Sequence, residues 1–342
     1  MKLCLHFMSI VAVTILFLGI NLYSQDYQDW KYTHPTPQAN SLRNIQMIDI
    51  NNWVAVGANG TFMKTTNQGL NWYFHHQAGV YSDAAQTIGG NYGLWFFDAN
   101  NGYVTGMTGY IGKTTNGGVT FNQVGAGVIP TNEWGQGIWF ANQDTGFVST
   151  RISSWTNGRI VRTTNGGVTW TTVLTYAQGI TSVFGTNSKT IFAIAVDGTI
   201  FKTTDCGQNW TPNTGVVGQY MYGMSFLDQN TGFVVGSQGG ASRTTNAGLT
   251  WTTLTTPQLD WAYYQIKIIS ASEIYLVGDP AFLYKSTDLG NTWQTINLFP
   301  INGPASTYIW TSLGKVGSTM TLCGDFGVVA KSTDNGLTWS SN

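Results

Sequence analysis

The feature that most constrains this chain is a nine-residue phrase that occurs seven times. Its last copy runs from Lys331 to Trp339, and the others begin at Lys64, Lys113, Arg162, Lys202, Arg243 and Lys285. Each copy reads basic, Ser/Thr, Thr, Asp/Asn, any, Gly, any, Thr/Asn, aromatic, closing on Trp72, Phe121, Trp170, Trp210, Trp251, Trp293 and Trp339. A period of this length, recurring to the C-terminus, means that one small unit is stacked repeatedly. The phrase itself is a hairpin tip. The Asp or Asn side chain accepts from backbone N–H groups ahead of it, the Gly two residues on takes a positive φ, and the closing aromatic gives an apolar plate to fold under the turn.

This phrase resembles the Asp-box, or BNR repeat, of sialidases, sortilin-type receptors, some xyloglucanases and the photosystem II stability/assembly factor family. The resemblance implies a hairpin between the outer strands of a propeller blade, away from the binding face, acting as a fold staple without chemistry of its own.

Between the boxes a second phrase recurs, as in 96–106, 140–148 and 226–236, reading strand, Asp/Asn/Gly turn, strand. A further Gly-containing turn and the strand entering the box complete four strands per repeat. The box aromatics follow one another at 49, 49, 40, 41, 42 and 46 residues, which suits four-stranded antiparallel blades. The expectation is an all-β, seven-bladed β-propeller over 26–342. Only Ser340, Ser341 and Asn342 follow the last box, and Trp30 to Pro35 resembles the strand after the fifth box. The N-terminal segment 28–34 is therefore expected to close the ring as the outer strand of the last blade. The longest connections, 73–91, 122–136, 149–159 and 294–308, fall on the face opposite the boxes.

Residues 1–24 read as a secretory signal peptide: Lys2, an apolar run from Leu3 to Ile20, and Ser24 as the small residue before cleavage. An uncleaved membrane anchor is the alternative. The expected location is exported, periplasmic or extracellular. Charged residues make up 9% of the chain and the net charge is −1, so nothing marks a nucleic-acid surface. Seven of the fifteen Lys and Arg residues are the box leaders, expected on solvated strand faces. Cys206 and Cys323 fall in repeats four and seven, too far apart around a ring for a disulfide.

Enzyme signatures are sparse. His75 and His76 are adjacent and would point to opposite faces of a strand, so a shared metal is not expected. A nucleophile elbow and a phosphate-binding loop are both missing from the sequence. The sialidase resemblance would need three arginines, a Tyr nucleophile and its Glu, yet Arg43, Arg151 and Arg159 are the only arginines outside the boxes and Glu133 and Glu273 the only glutamates. Asp83 and Asp260 are loop acids that could serve a xyloglucanase-like hydrolysis, but such enzymes pair two propellers around the cleft.

Aromatic residues do gather where the inner strands begin: Tyr92, Trp134, Tyr222, Trp261, Tyr263, Tyr308 and Trp310. The site expected from sequence is the channel mouth on the box-free face, with Trp134, Tyr222, Trp261, Tyr308 and Trp310 as anchors and Arg151 and Arg159 as orienting charges. The closest overall resemblance, kept best from Asn101 to Phe121, is to the photosystem II stability/assembly factor family. It implies a non-enzymatic, cofactor-free scaffold, expected as a monomer, that holds a protein or peptide partner. A carbohydrate-active propeller that binds or hydrolyses glycans is the alternative.

Overall fold

The computed structural model describes residues 40–75, 91–213, 220–279, 282–296, 298 and 309–341. They form seven four-stranded antiparallel sheets, each a meander of consecutive strands. The innermost strands are Leu42–Met47, Asn91–Phe96, Glu133–Phe140, Ile180–Gly185, Met221–Phe226, Tyr263–Ser270 and Trp310–Val316, which open blades 1 to 7. Each touches the innermost strand of the next blade, and Trp310–Val316 touches Leu42–Met47, so the ring is closed. The second strands lie between neighbouring blades with both faces covered. Trp53–Gly57, Gly102–Gly106, Ile191–Ala195 and Gly232–Gly236 are buried at every residue, which is why they read as apolar runs and not as alternating ones. The core is accordingly divided into clusters that straddle blade boundaries; one joins Tyr275, Val277 and Leu283 of blade 6 to Trp310, Leu313 and Leu322 of blade 7.

Every box is closed in the same way. The first hydroxyl residue (Thr65, Thr114, Thr163, Thr203, Thr244, Ser286 or Ser332) accepts from the Gly N–H four residues on, at 2.8–3.0 Å. It donates in turn to the Asp or Asn carbonyl or carboxylate oxygen at 2.7–3.1 Å. That oxygen accepts the N–H of the residue four positions beyond, as in Asn165 from Thr169 and Asp334 from Thr338, both at 2.9 Å. The residue just before the Gly is also left-handed, at φ 57–61° in Gln68, Cys206, Ala247, Leu289 and Asn335. The box thus forces five side chains into a conformation that ordinarily favours Gly.

Six of the seven box leaders, all but Lys285, donate to a backbone carbonyl of the next blade, which corrects their expected place on solvated strand faces. Lys113 Nζ donates to Gly166 O, Arg162 Nη1 to Cys206 O, Lys202 Nζ to Ala247 O and Arg243 Nη1 to Leu289 O, at 2.6–2.8 Å. In each case the acceptor is the left-handed residue of the next blade's box. Lys331 of blade 7 reaches Gln68 O of blade 1 at 2.9 Å, so the joint between last and first blades uses the device found elsewhere in the ring. Leu42, Ile45 and Met63 of blade 1 also pack with Cys323 and Val329 of blade 7. Blade 7 takes its fourth strand from Ser340–Ser341, opposite Lys331 and Ala330, with the two-residue length seen in Asn122–Gln123 and Thr252–Thr253. The segment 28–34, expected to supply that strand, lies outside the described residues, as does the leader.

Candidate functional site: the channel mouth opposite the boxes

The inner strand of each blade starts on the box-free face, and its start carries a recurrent irregularity. In six blades the pairing with the second strand skips one residue: Arg43, Tyr92, Thr181, Tyr222, Tyr264 and Thr311. A bulge of this kind re-aims the unpaired side chain. The residue before it is turned into the core instead; Leu42, Ile180, Met221, Tyr263 and Trp310 are at most 1% exposed. Where the bulged residue is Thr, its hydroxyl bonds the neighbouring blade, Thr181 to Met221 O at 2.7 Å and Thr311 to Leu42 O at 2.9 Å. Where it is Tyr, a half-buried ring remains at the mouth.

Blade 3 differs from the rest. Its strands Glu133–Phe140, Gly146–Ile152, Thr156–Thr163 and Thr171–Gln178 are seven or eight residues long, and the hairpin 152–156 rises at the box-free end. Trp155 sits in that turn at φ 63°, a conformation that is costly for a bulky side chain and that clusters at functional sites. Its carbonyl accepts from Gly179 N–H at 2.7 Å. Gly179 is the single residue joining blades 3 and 4, and a Cβ there would lie 2.7 Å from Arg151 Cβ.

These elements bring one cation and several aromatics together. The Arg151 guanidinium lies 3.7 Å from the Trp155 ring centre and 4.6 Å from that of Trp134. Trp134 stacks on Tyr92 at 6.1 Å and 7°. On the other side Trp155 meets Tyr220 at 6.1 Å and Tyr222 at 5.9 Å, and Tyr222 meets Tyr264 at 5.4 Å. Beyond Tyr264 stand Asp279, Asp325 and Arg43; the last two approach to 3.8 Å. Arg151 is 5% exposed. Its Nη1 donates to Ile152 O at 3.0 Å, and among the described residues its Nε has no partner and no carboxylate is within ion-pairing distance of it. Burial pulls its pKa down, while Tyr92 and Tyr222 oppose that shift. Burial raises Tyr264 to about 12, helped by Asp279. Burial also raises Asp279, with Asp325 adding to it.

The residues expected from sequence are therefore sorted as follows. Trp134, Arg151 and Tyr222 are brought together at the mouth. Trp261 is 45% exposed on the same face, in the loop whose Trp261 carbonyl accepts from Gly239 N–H. Arg159 is turned away from the arc and grips Glu133. Trp310 is removed from the site: it precedes the bulge, is 0% exposed and packs in the core between blades 6 and 7. Tyr263, at 1%, is core for the same reason. Tyr308, Asp83 and most of the connections 73–91 and 294–308 lie outside the described residues. Sequence reasoning missed Trp155, Tyr220 and Tyr264. A Trp within the insertion 149–159 and the Tyr263-Tyr264 pair were the available signals. Chemically the arc offers stacking surfaces and one fixed cation. Among the described residues no group of His, Cys, Asp and Glu could hold a metal ion, and Cys206 and Cys323 are free thiols.

Comparison with known proteins agrees with this architecture. A family model described as photosynthesis system II assembly factor YCF48 matches residues 216–342, which covers blades 5 to 7 and stops short of Trp134, Arg151 and Trp155. The photosystem II assembly lipoprotein Ycf48 of Synechococcus sp. (strain CC9902) is 31% identical over 121 residues, 35% of this chain and 35% of that protein. The chloroplastic photosystem II stability/assembly factor HCF136 of Guillardia theta is 31% identical over 117 residues, 32% of this chain and 27% of that one. The matches thus span about a third of each curated relative. Among solved structures, YCF48 bound to D1 peptide superposes with a TM-score of 0.67 at 17% identity, covering 86% of this chain and 92% of that one. A xyloglucanase from Xanthomonas campestris gives 0.67 at 13% identity, over 89% of this chain and 54% of that one, a likeness of fold. This chain is a seven-bladed propeller that resembles the photosystem II assembly factors.

Proposed function

We propose that this chain is an exported, non-enzymatic scaffold that holds a protein partner through a peptide segment seated on the box-free mouth. The observation that carries this reading is Arg151, fixed between two indoles, nearly buried and not neutralised by any described carboxylate. Rigid aromatic and Arg anchors at a concave centre are where the binding energy of protein interfaces concentrates, and a guanidinium held by stacking has little ordering entropy left to lose. A peptide supplies both the acceptor groups and the side chains that such an arc would stack. The resemblance to proteins named as assembly factors, one of them solved with a peptide, supports the same class of partner. It does not carry the photosynthetic partner over, because the matched stretch omits blade 3.

The test is a peptide-display selection against the immobilised protein, run beside a glycan array. Peptides that are enriched, bind in solution and lose affinity in Trp134→Ala and Arg151→Ala support the reading. Retention of glycans with no enriched peptide would replace it with a carbohydrate-binding propeller, and turnover of xyloglucan or a sialoside would remove the non-enzymatic claim.

A further inference from the structure

Blade 3 contains a buried ionic network that the mouth itself does not use. Glu133, 3% exposed, receives Arg159 Nε on both carboxylate oxygens at 2.9 and 2.7 Å and Arg159 Nη2 at 2.5 Å. It also accepts the Thr150 hydroxyl at 2.6 Å, and the same hydroxyl accepts the Arg159 backbone N–H at 3.1 Å. Three strands of the blade are thereby locked at their box-free ends. The Glu133 carbonyl accepts Gly109 N–H of blade 2 at 2.8 Å, which anchors the network to the neighbouring blade.

The position of this network is informative. Glu133 and Thr150 are the immediate neighbours of Trp134 and Arg151, and Arg151 stands opposite Trp134 in the pairing, as Ile152 does opposite Glu133. Successive side chains of a strand point to opposite faces. The network therefore grips one face of the strand pair whose other face carries Trp134 and Arg151. Buried ion pairs are weak evidence for stability, since desolvation offsets most of their attraction, but they fix geometry. An unbraced hairpin with two left-handed positions flanking Thr156, Trp155 at φ 63° and Asn157 at φ 50°, would have no such fixed base.

We propose that Glu133, Thr150 and Arg159 are positioning residues: they brace the raised hairpin of blade 3 so that Arg151 stays stacked between Trp134 and Trp155. Arg159 acts on a partner through Arg151, without touching it. The importance of that geometry for binding rests on the function proposed above; the brace itself can be read in the free protein.

The experiment is NMR of the arginine side chains in the unliganded protein. Arg151 protons over two indole faces are shifted upfield by the ring currents. In Glu133→Gln, and separately in Thr150→Val, that upfield displacement should fall by half or more while the amide spectrum stays dispersed, and Arg159→Lys, which keeps one contact to Glu133, should retain more of it than Arg159→Ala. A purely structural role would lower the unfolding midpoint and leave the Arg151 shift in place, and that result in a folded variant overturns the proposal. If Glu133→Gln does not fold, Thr150→Val carries the test alone. Absence of any upfield shift in the unsubstituted protein would remove the stacked arc and the brace together. Failure of every peptide to bind, with the shift responding as stated, would remove only the peptide reading.

Discussion

The two faces of the ring are made by the same strands and closed by opposite means. On the box face the turns are copies: one hydroxyl, one Asp or Asn, one left-handed residue and one cation reaching across to the next blade. The hydroxyl, the Asp or Asn oxygen and the Gly N–H of each turn are bonded to one another, although the indole N–H groups of Trp72, Trp170, Trp210, Trp251 and Trp293 are buried without a partner among the described residues. On the other face the turns share only the bulge, and what it presents varies from Thr, bonded to a neighbour, to Tyr, left free to stack. Repetition builds turns whose backbone and hydroxyl groups are already bonded to one another. Departure from repetition, greatest in blade 3, leaves a guanidinium among aromatic rings with no carboxylate partner among the described residues.

The largest effect that could break this contrast concerns an aromatic on the wrong side of the bulge. Trp310→Ala should cost about 3–5 kcal/mol, the usual range for truncating a buried Trp, measured by chemical unfolding. Trp134→Ala, one of the arc, should cost far less stability. Equal losses would mean that the bulge does not separate core from mouth.

Next in size is the closing tie. Lys331→Met removes the donor to Gln68 O and should cost about 1.5 kcal/mol, the lower range for hydrogen bonds from charged groups. Lys285→Met is the useful contrast, because among the described residues Lys285 approaches only Glu273, at 4.0 Å, and the Tyr275 ring, both in its own blade; it should be milder. If the two are equal, the ties do not bind the ring.

Acid should then affect the two faces with opposite sign. Hydrogen bonds from the Asn209 N–H and the Thr292 and Thr338 hydroxyls lead the groups that hold Asp205, Asp288 and Asp334 down at about 2. A carboxyl depressed in the folded state contributes stability above its unfolded value, near 3.9, and that contribution is lost as pH falls toward 2. Asp279 is raised by burial and by Asp325, so its ionisation disfavours the fold and protonation relieves it. Thermal midpoints between pH 5 and pH 2.5 should fall less steeply when the three box acids are Asn. Asp279→Asn should raise the midpoint at pH 7 and have no effect at pH 2.5. The reverse signs would contradict the assignment of satisfied turns to one face and a desolvated acid to the other.

The legibility of the sequence follows the same division. Seven blades could be counted because Lys-Thr-Thr-Asn-Gly-Gly and its variants encode a local turn, and local turns need no knowledge of the rest of the chain. The mouth is not local. Tyr222 and Trp310 both stand at the start of an inner strand, and a shift of one position across the bulge sends one to the channel and the other to the core; nothing in the sequence marks where the pairing skips. Trp155 and Tyr220 lie in blades 3 and 5, and they meet only because the blade 3 hairpin rises past the short start of blade 4. Arg159 reads in the sequence as an orienting charge because its partner, Glu133, is 26 residues away. The box leaders were read as solvated because their acceptors belong to the following blade.

The measurement that bears most directly on the mouth as the binding surface is the affinity of a selected peptide for two variants side by side. Lys202→Glu is a poor control, since its ammonium ties blade 4 to Ala247 O. Val168→Lys is better, being 76% exposed at the tip of a box. Arg151→Ala should weaken binding by about thirtyfold, the 2 kcal/mol of a hot-spot residue, and Val168→Lys by less than about threefold. Loss in Val168→Lys with full affinity in Arg151→Ala would place the partner on the box face and contradict the assignment.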